Sequence, residues 1–209
     1  NNRFDRRLDE LNISVFDLET TGLEPARDHI LQIALVRIKN GRLSGEEREW
    51  KINPGDHIPI STEILTLTGL NEQELRSAPC LEEVYHEFGT AIGNSIVAGH
   101  KVKRFDLRFI RAAERRLAIA TNNYFIDTCT ISRRLKPRQK NHKLATCARA
   151  YGLTFNPDSL HDALTDTRLC AELLLRQITD LQQRGIITFR DLIRFLSFSR
   201  RMQGSKVAG

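Results

Sequence analysis

Hydrophobic and polar positions divide the chain into short strands followed by helices. Ile13 to Leu18 alternates, with Ile13, Val15, Asp17 and Glu19 on one face and Ser14, Phe16 and Leu18 on the other, which predicts a strand. A loop carrying Gly22 and Pro25 follows, and Ile30 to Ile38 is an almost continuous apolar run that predicts a second, well-covered strand. Asn40-Gly41 is a strong hairpin signal, so a third strand turns back antiparallel, expected over Arg48 to Ile52 and ended by Asn53-Pro54-Gly55. From Ser61 to Ile92 the period becomes helical, in two helices broken at Gly69 and Pro79. Short strands are expected at Ser95–Ala98 and Tyr124–Ile126, on either side of an amphipathic helix over Phe105–Leu117. Further helices are expected near 128–135, 142–151, 162–183 and 188–201, and a short helix-like stripe at Phe4, Leu8 and Leu11. Antiparallel strands followed by strand–helix–strand units predict a mixed-sheet α/β fold.

The composition narrows the class. With 209 residues, one domain plus extensions is favoured over two domains, and 40% hydrophobic content with ten Phe excludes a disordered chain. No apolar run approaches the ~20 residues of a membrane span, and no signal-peptide pattern opens the chain. The start at Asn1-Asn2 instead of Met is compatible with a trimmed chain or a domain cut from a longer one. Cys80, Cys129, Cys147 and Cys170 are scattered without a C-x-x-C pair, which argues against a zinc site and a disulfide framework and fits a reducing, cytoplasmic location. A net charge of +6 permits a polyanionic partner without requiring one.

The charge is unevenly placed. Arg133, Arg134, Lys136, Arg138, Lys140, Lys143 and Arg149 fall in a stretch, Ile131 to Tyr151, that holds no acid, and Lys101, Lys103, Arg104, Arg108 and Arg111 form a second cluster. Either is a candidate phosphate-contacting surface or a solvated face.

The candidate chemistry lies in acids that stand where apolar residues belong. Asp17 and Glu19 are side by side on one strand face, which is either a strand end reaching solvent or a pair that needs a cation. At ~100° per residue, Asp106 falls at the centre of the stripe Phe109, Ile110, Ala113 and Leu117, although an acid in a first turn also complements the helix dipole. Asp166 sits in the same way within the stripe of Leu169, Cys170, Leu173 and Leu174. His161 precedes it by five residues, with Asp162 between them as a plausible N-cap. Four inward-aimed carboxylates converge most economically on hard divalent cations, Mg²⁺ or Mn²⁺. Two such ions ~4 Å apart can clamp a phosphodiester displacement, with His161 as the base for the attacking water.

These residues fall in ordered motifs: Val15-Phe16-Asp17-Leu18-Glu19-Thr20-Thr21-Gly22-Leu23; Val97-Ala98-Gly99-His100 with Phe105-Asp106-Leu107-Arg108-Phe109-Ile110; and His161-Asp162-Ala163-Leu164-Thr165-Asp166-Thr167. In these, over roughly residues 12–180, the chain resembles the DEDDh group of 3′–5′ exonucleases, which includes the proofreading epsilon subunit of bacterial replicative DNA polymerase and RNase T-like enzymes. The segments Pro59-Ile60 to Thr68-Gly69-Leu70 and Asp127-Thr128 through His142-Lys143-Leu144-Ala145 are also similar to that family. The resemblance implies a ribonuclease H-like mixed five-stranded sheet flanked by helices, with residues 1–184 as the exonuclease domain and 185–209 as a C-terminal helix and tail. It implies two divalent cations, Mg²⁺ or Mn²⁺, on Asp17, Glu19, Asp106 and Asp166, with His161 as general base. It places Thr20, Thr21, Gly22 and Leu23 beside the terminal nucleotide, with His100 and Phe105 as further substrate-side residues. One departure is the extra residue between His100-Lys101 and Phe105.

The implied reaction is removal of nucleoside 5′-monophosphates from the 3′ end of single-stranded or frayed DNA, in proofreading or repair. The alternatives are an exoribonuclease of the same fold and a non-catalytic nucleic-acid-binding or polymerase-associated module. The implied partners are single-stranded nucleic acid, DNA favoured over RNA, and a polymerase or other protein. No membrane is implied. Phe16, Leu18 and the cysteines are expected in the core, and Trp50 beside the third strand. The segment Thr188–Met202 either packs on its own domain or docks to a partner protein.

Overall fold

The structure is a computed structural model, described over residues 2–157, 160 and 162–197. Its centre is a mixed five-stranded sheet of β1 (Ile13–Thr20), β2 (Ile30–Lys39), β3 (Arg42–Lys51), β4 (Ile96–Gly99) and β5 (Phe125–Asp127) in the order β3-β2-β1-β4-β5. β1, β2 and β3 pair antiparallel, while β4 runs parallel to β1 and β5 parallel to β4. This is the ribonuclease H-like arrangement that the resemblance implies.

The hairpin at Asn40-Gly41 forms with both residues at positive φ, the conformation a tight two-residue turn demands. β3 begins directly after it, six residues earlier than the pattern suggests. Its first eight residues, Arg42 to Glu49, are mostly polar because β3 is an edge strand with little to cover it, so burial is visible only at its end, where Trp50 packs.

One sheet face is covered by α3 (Leu81–Ile92) and α4 (Asp106–Leu117). There Phe16, Leu18, Ile33 and Leu35 meet Tyr85, Phe88, Phe109 and Ile110. The other face is covered by α5 (Thr128–Leu135) and the long α7 (Ala163–Gln183). There Ile13, Val15, Val36 and Ile96 meet Ile131, Leu135, Leu174 and Ile178. Three further short α-helices lie among the described residues: α1 (Thr62–Thr68), α2 (Glu72–Arg76) and α6 (Leu144–Ala150). α2 has no counterpart in the apolar pattern, because its five residues contribute a single buried side chain, Leu75; the Asn71 side chain caps it by accepting from Glu74 N–H.

α8 (Phe189–Ser197) packs into the same core as β1, through buried Phe189 and Leu192. Leu8 N–H donates to Ile187 O and Phe189 N–H to Arg6 O, so the two ends of the described chain are stitched together. The start is two 3₁₀ turns, Arg3–Asp5 and Leu8–Glu10, in place of one continuous helical stripe. Residues 198–201 of the expected last helix lie outside the described residues. Among the described residues no helix is long and apolar enough to cross a membrane.

The position of the site follows from strand lengths. β4 pairs with β1 only from Ile13↔Ile96 to Val15↔Ala98, so the C-terminal part of β1 runs on past its parallel neighbour. A crevice opens there, beyond the carboxyl ends of the parallel strands, which is where α/β sheets offer their binding sites.

Phe189→Ala is expected to cost about 3–5 kcal/mol by emptying the core beneath α8, lowering the melting temperature by roughly 10 °C. A circular-dichroism melt checks this, and little or no change would show that α8 is peripheral to the fold.

A carboxylate cleft at the end of the central strand

Asp17 and Glu19 lie on the face of β1 that α7 covers, continuing the row of Ile13 and Val15. Asp166 arrives in the first turn of α7, which begins at Ala163 behind Asp162; the Asp162 carboxylate accepts from Thr165 N–H at 2.8 Å as an N-cap. Asp106 opens α4, buried at 3% exposure. All four line one cleft of about 580 Å³, with Leu18, Leu23, His100, Lys101, Phe105, Lys143, Leu144, Ala145 and Leu160 around them. His161 lies outside the described residues.

The electrostatics are those of crowded like charges. Burial, then Asp106, Glu19 and Asp166, push the Asp17 carboxyl well above the ordinary carboxylate range. Burial, followed by Asp166 and Asp106, raises Glu19 to about 8, and burial raises Asp106 to about 7. Asp106 Oδ1 is buried with no hydrogen-bond partner among the described residues. Such an oxygen is costly unless something positive reaches it. An all-oxygen donor set fits a hard divalent cation. Among the described residues, no group of three or more His, Cys, Asp or Glu side chains is already gathered in metal-holding geometry.

The β1–β2 loop is folded against itself. Thr20 Oγ1 donates to Gly22 O at 2.6 Å, and Thr21 Oγ1 accepts from His29 N–H at 2.9 Å. A Cβ on Gly22 would lie 2.5 Å from the Asp28 carboxylate, which accepts from Glu24 N–H, so this close approach requires glycine. The two threonine hydroxyls are thereby engaged within the loop, and the group it presents at the cleft is Leu23, 72% exposed.

His100 is in the cleft wall with both ring nitrogens occupied: Nδ1 meets Thr128 Oγ1 at 2.8 Å and Nε2 meets His142 O at 2.9 Å. Burial lowers its pKa to about 4, so the ring is neutral. It joins the end of β4 to the segment before α6, on the opposite wall. Asp127 ties the same region together. Its Oδ1 accepts from Cys129 N–H and Thr130 N–H, capping α5, and also from Lys101 N–H at 3.0 Å. Lys101 has φ +62, so the extra residue noted between His100-Lys101 and Phe105 is absorbed in a left-handed turn that leaves Asp106 at the start of α4. Phe105 packs 5.1 Å from Phe109 and shows its remaining surface to the cleft.

Lys143, which belongs to the basic stretch, stands just before α6 and completes the lining with Leu144 and Ala145 of its first turn and with Leu160; no local pattern marks these positions as cleft-lining, because their place depends on distant contacts. The acid-free segment around them is less free than its charge suggests. Arg134 donates to Leu196 O, Lys136 lies over the Tyr151 ring and Arg149 over Phe155. All four cysteines are free; Cys129, Cys147 and Cys170 are buried, as expected of small core residues, while Cys80 is exposed.

The exonuclease family model matches residues 14–174. The chain is 35% identical to the PolC-type DNA polymerase III of Bacillus subtilis over 183 residues, 87% of this chain and 12% of that protein. It is 36% identical to the DNA polymerase III subunit epsilon-like protein of Rhodobacter capsulatus over 184 residues, 87% of this chain and 26% of that protein. The chain thus spans about an eighth to a quarter of the length of these relatives. Among solved structures, E. coli exonuclease I in complex with a dT13 oligonucleotide superposes with a TM-score of 0.71 at 19% identity, covering 84% of this chain and 43% of that one. Exonuclease I from Methylocaldum szegediense gives 0.69 at 22% identity, covering 83% and 41%. These structures share the fold, and with a family match over most of its length, the chain belongs to the exonuclease family.

Proposed function

We propose that the chain hydrolyses the 3′-terminal phosphodiester of single-stranded or frayed DNA and releases nucleoside 5′-monophosphates. The observation that carries this reading is the cluster of four carboxylates around one cleft, with the buried Asp106 Oδ1 lacking a hydrogen-bond partner among the described residues. Asp17, Glu19, Asp106 and Asp166 would hold two divalent cations, Mg²⁺ or Mn²⁺. When bound, these cations supply charge neutralisation at the scissile phosphate and a more acidic attacking water.

The remaining work falls to the chain itself. His161 accepts the proton of the water as its oxygen bonds to phosphorus, and the bond from phosphorus to the 3′ oxygen of the penultimate nucleotide breaks. Leu23 offers an apolar contact to the terminal base, with Thr20, Thr21 and Gly22 giving its loop a fixed shape. Phe105 forms part of the opposing apolar surface and Lys101 and Lys143 offer charge to phosphates. His100 acts as a brace between the walls and leaves ligand contacts to its neighbours. DNA is preferred in this reading because the relatives are named as DNA polymerase III proteins. The same relatives support work beside a polymerase in replication proofreading, in the cytoplasm.

A 5′-labelled single strand is expected to shorten from its 3′ end in Mg²⁺ or Mn²⁺, and Asp17→Ala to slow this at least about a thousandfold. Matched DNA and RNA oligomers, digested side by side, are expected to show faster loss of DNA; faster loss of RNA would reassign the chain as an exoribonuclease, and no loss of either would defeat the reading.

The raised carboxyl pKa values also make a stability prediction. A folded-state pKa above the unfolded value means the folded chain holds more protons. The contribution of these groups to the stability of the cation-free protein is therefore fully present below about pH 4 and is lost as pH climbs through about 7 to 8. Asp106→Asn is expected to raise the melting temperature in EDTA at pH 8 by at least about 5 °C, with a smaller gain at pH 5, while removing activity. Mg²⁺ should stabilise the parent more than this variant. A variant that melts lower than the parent in EDTA at pH 8 would contradict the account.

A further inference from the structure

We infer that α4 carries the strand upstream of the scissile bond, along a basic track on the helix face opposite its buried stripe. This rests on the proposed exonuclease function and specifies where that substrate lies. At 3.6 residues per turn, Arg108, Arg111 and Arg115 share one face of α4, and Arg104 continues the row before the first turn. Arg104 to Arg115 spans about 16 Å along the helix axis, enough for several nucleotides.

Three members of the row, Arg108, Arg111 and Arg115, line one side of a groove. Lys103, Leu107, Arg108, Arg111 and Arg115 face Glu24, Pro25 and Ala26 across a volume of about 440 Å³. The groove is continuous in sequence with the catalytic cleft at both walls: Leu23 lines the cleft and Glu24 the groove, Phe105 and Asp106 line the cleft and Leu107 the groove. Arg116 donates to Pro25 O, which holds the two walls together.

The charges on this face are available. Lys103, Arg104 and Arg115 make no ion pair or side-chain hydrogen bond among the described residues. Arg108 meets Glu24 at 3.6 Å, but both side chains are half-exposed, and such a pair is weak and screened. Arg111 alone is committed, to the buried Glu114 and the Phe125 ring. The competing surface, between Ile131 and Tyr151, has Arg134, Lys136 and Arg149 engaged in packing. Leu107 on the groove floor gives the bases an apolar contact without sequence preference.

The test is the triple variant Arg104→Gln/Arg108→Gln/Arg115→Gln, which leaves Arg111 and its buried partner in place. Its control, Arg42→Gln/Arg48→Gln/Arg176→Gln, removes the same charge from β3 and α7. Binding of a labelled long oligothymidylate in EDTA is read by fluorescence anisotropy across a salt series. The track predicts at least roughly tenfold weaker binding for the triple variant, with the salt slope shallower by about 2, as the loss of three phosphate contacts on a single strand requires. In Mg²⁺, the kcat/KM advantage of the long oligomer over the dinucleotide should fall by a similar factor, and the control should lose neither. Unchanged binding and salt slope in the triple variant, or an equal loss in the control, would overturn the track. A parent chain that binds through these arginines yet shortens nothing would keep the track and overturn the proposed function.

Discussion

Mutual repulsion among carboxylates at the end of β1 is the constraint on which the rest of the structure turns. Asp17 and Glu19 continue a row of buried aliphatic side chains, and Asp106 and Asp166 are brought to them by the first turns of two helices on opposite sheet faces. Asp17, Glu19 and Asp106 are raised above their ordinary pKa, by burial first and then, for Asp17 and Glu19, by the other acids. A fold that holds such a cluster gives up stability near neutral pH in exchange for a site that favours cations. The two apolar clusters on either side of β1 supply the rigidity that keeps the acids in place.

The surrounding polar bonds make sense against that load. Asp127 Oδ1 draws the β4–α4 turn and the start of α5 onto one atom, and neutral His100 spans from Thr128 to the carbonyl of His142. Both are short-range braces on the wall of a cleft that would otherwise be pushed open by its own charge. The β1–β2 loop is braced in the same manner through Thr20, Thr21 and Asp28, which leaves Leu23 projecting. Positive charge then lies outside the acid cluster, on Lys101, Lys143 and the exposed face of α4, where it attracts a polyanion without collapsing onto the carboxylates.

What could be read from the sequence was whatever violated a periodic pattern. Alternation along β1 put Asp17 and Glu19 on one face, and helical spacing put Asp106 and Asp166 within apolar stripes; the structure brings all four to one cleft. The hairpin after β2 followed from Asn40-Gly41. The early start of β3 was hidden because an exposed edge strand needs no alternation, and α2 because five residues with one buried side chain make no stripe. The double engagement of His100, the triple engagement of Asp127 and the consumption of Arg134, Lys136 and Arg149 in packing depend on contacts between distant segments, for which a local pattern carries no signal.

The central claim is that the four carboxylates form a site for divalent cations. Its most direct test is a titration of the cation-free chain with Mn²⁺, followed by electron paramagnetic resonance of the free ion near pH 8. Saturable binding of two ions per chain, reduced in Asp17→Asn and in Asp106→Asn, is the predicted result. Binding that does not saturate, or that both substitutions leave unchanged, would contradict it.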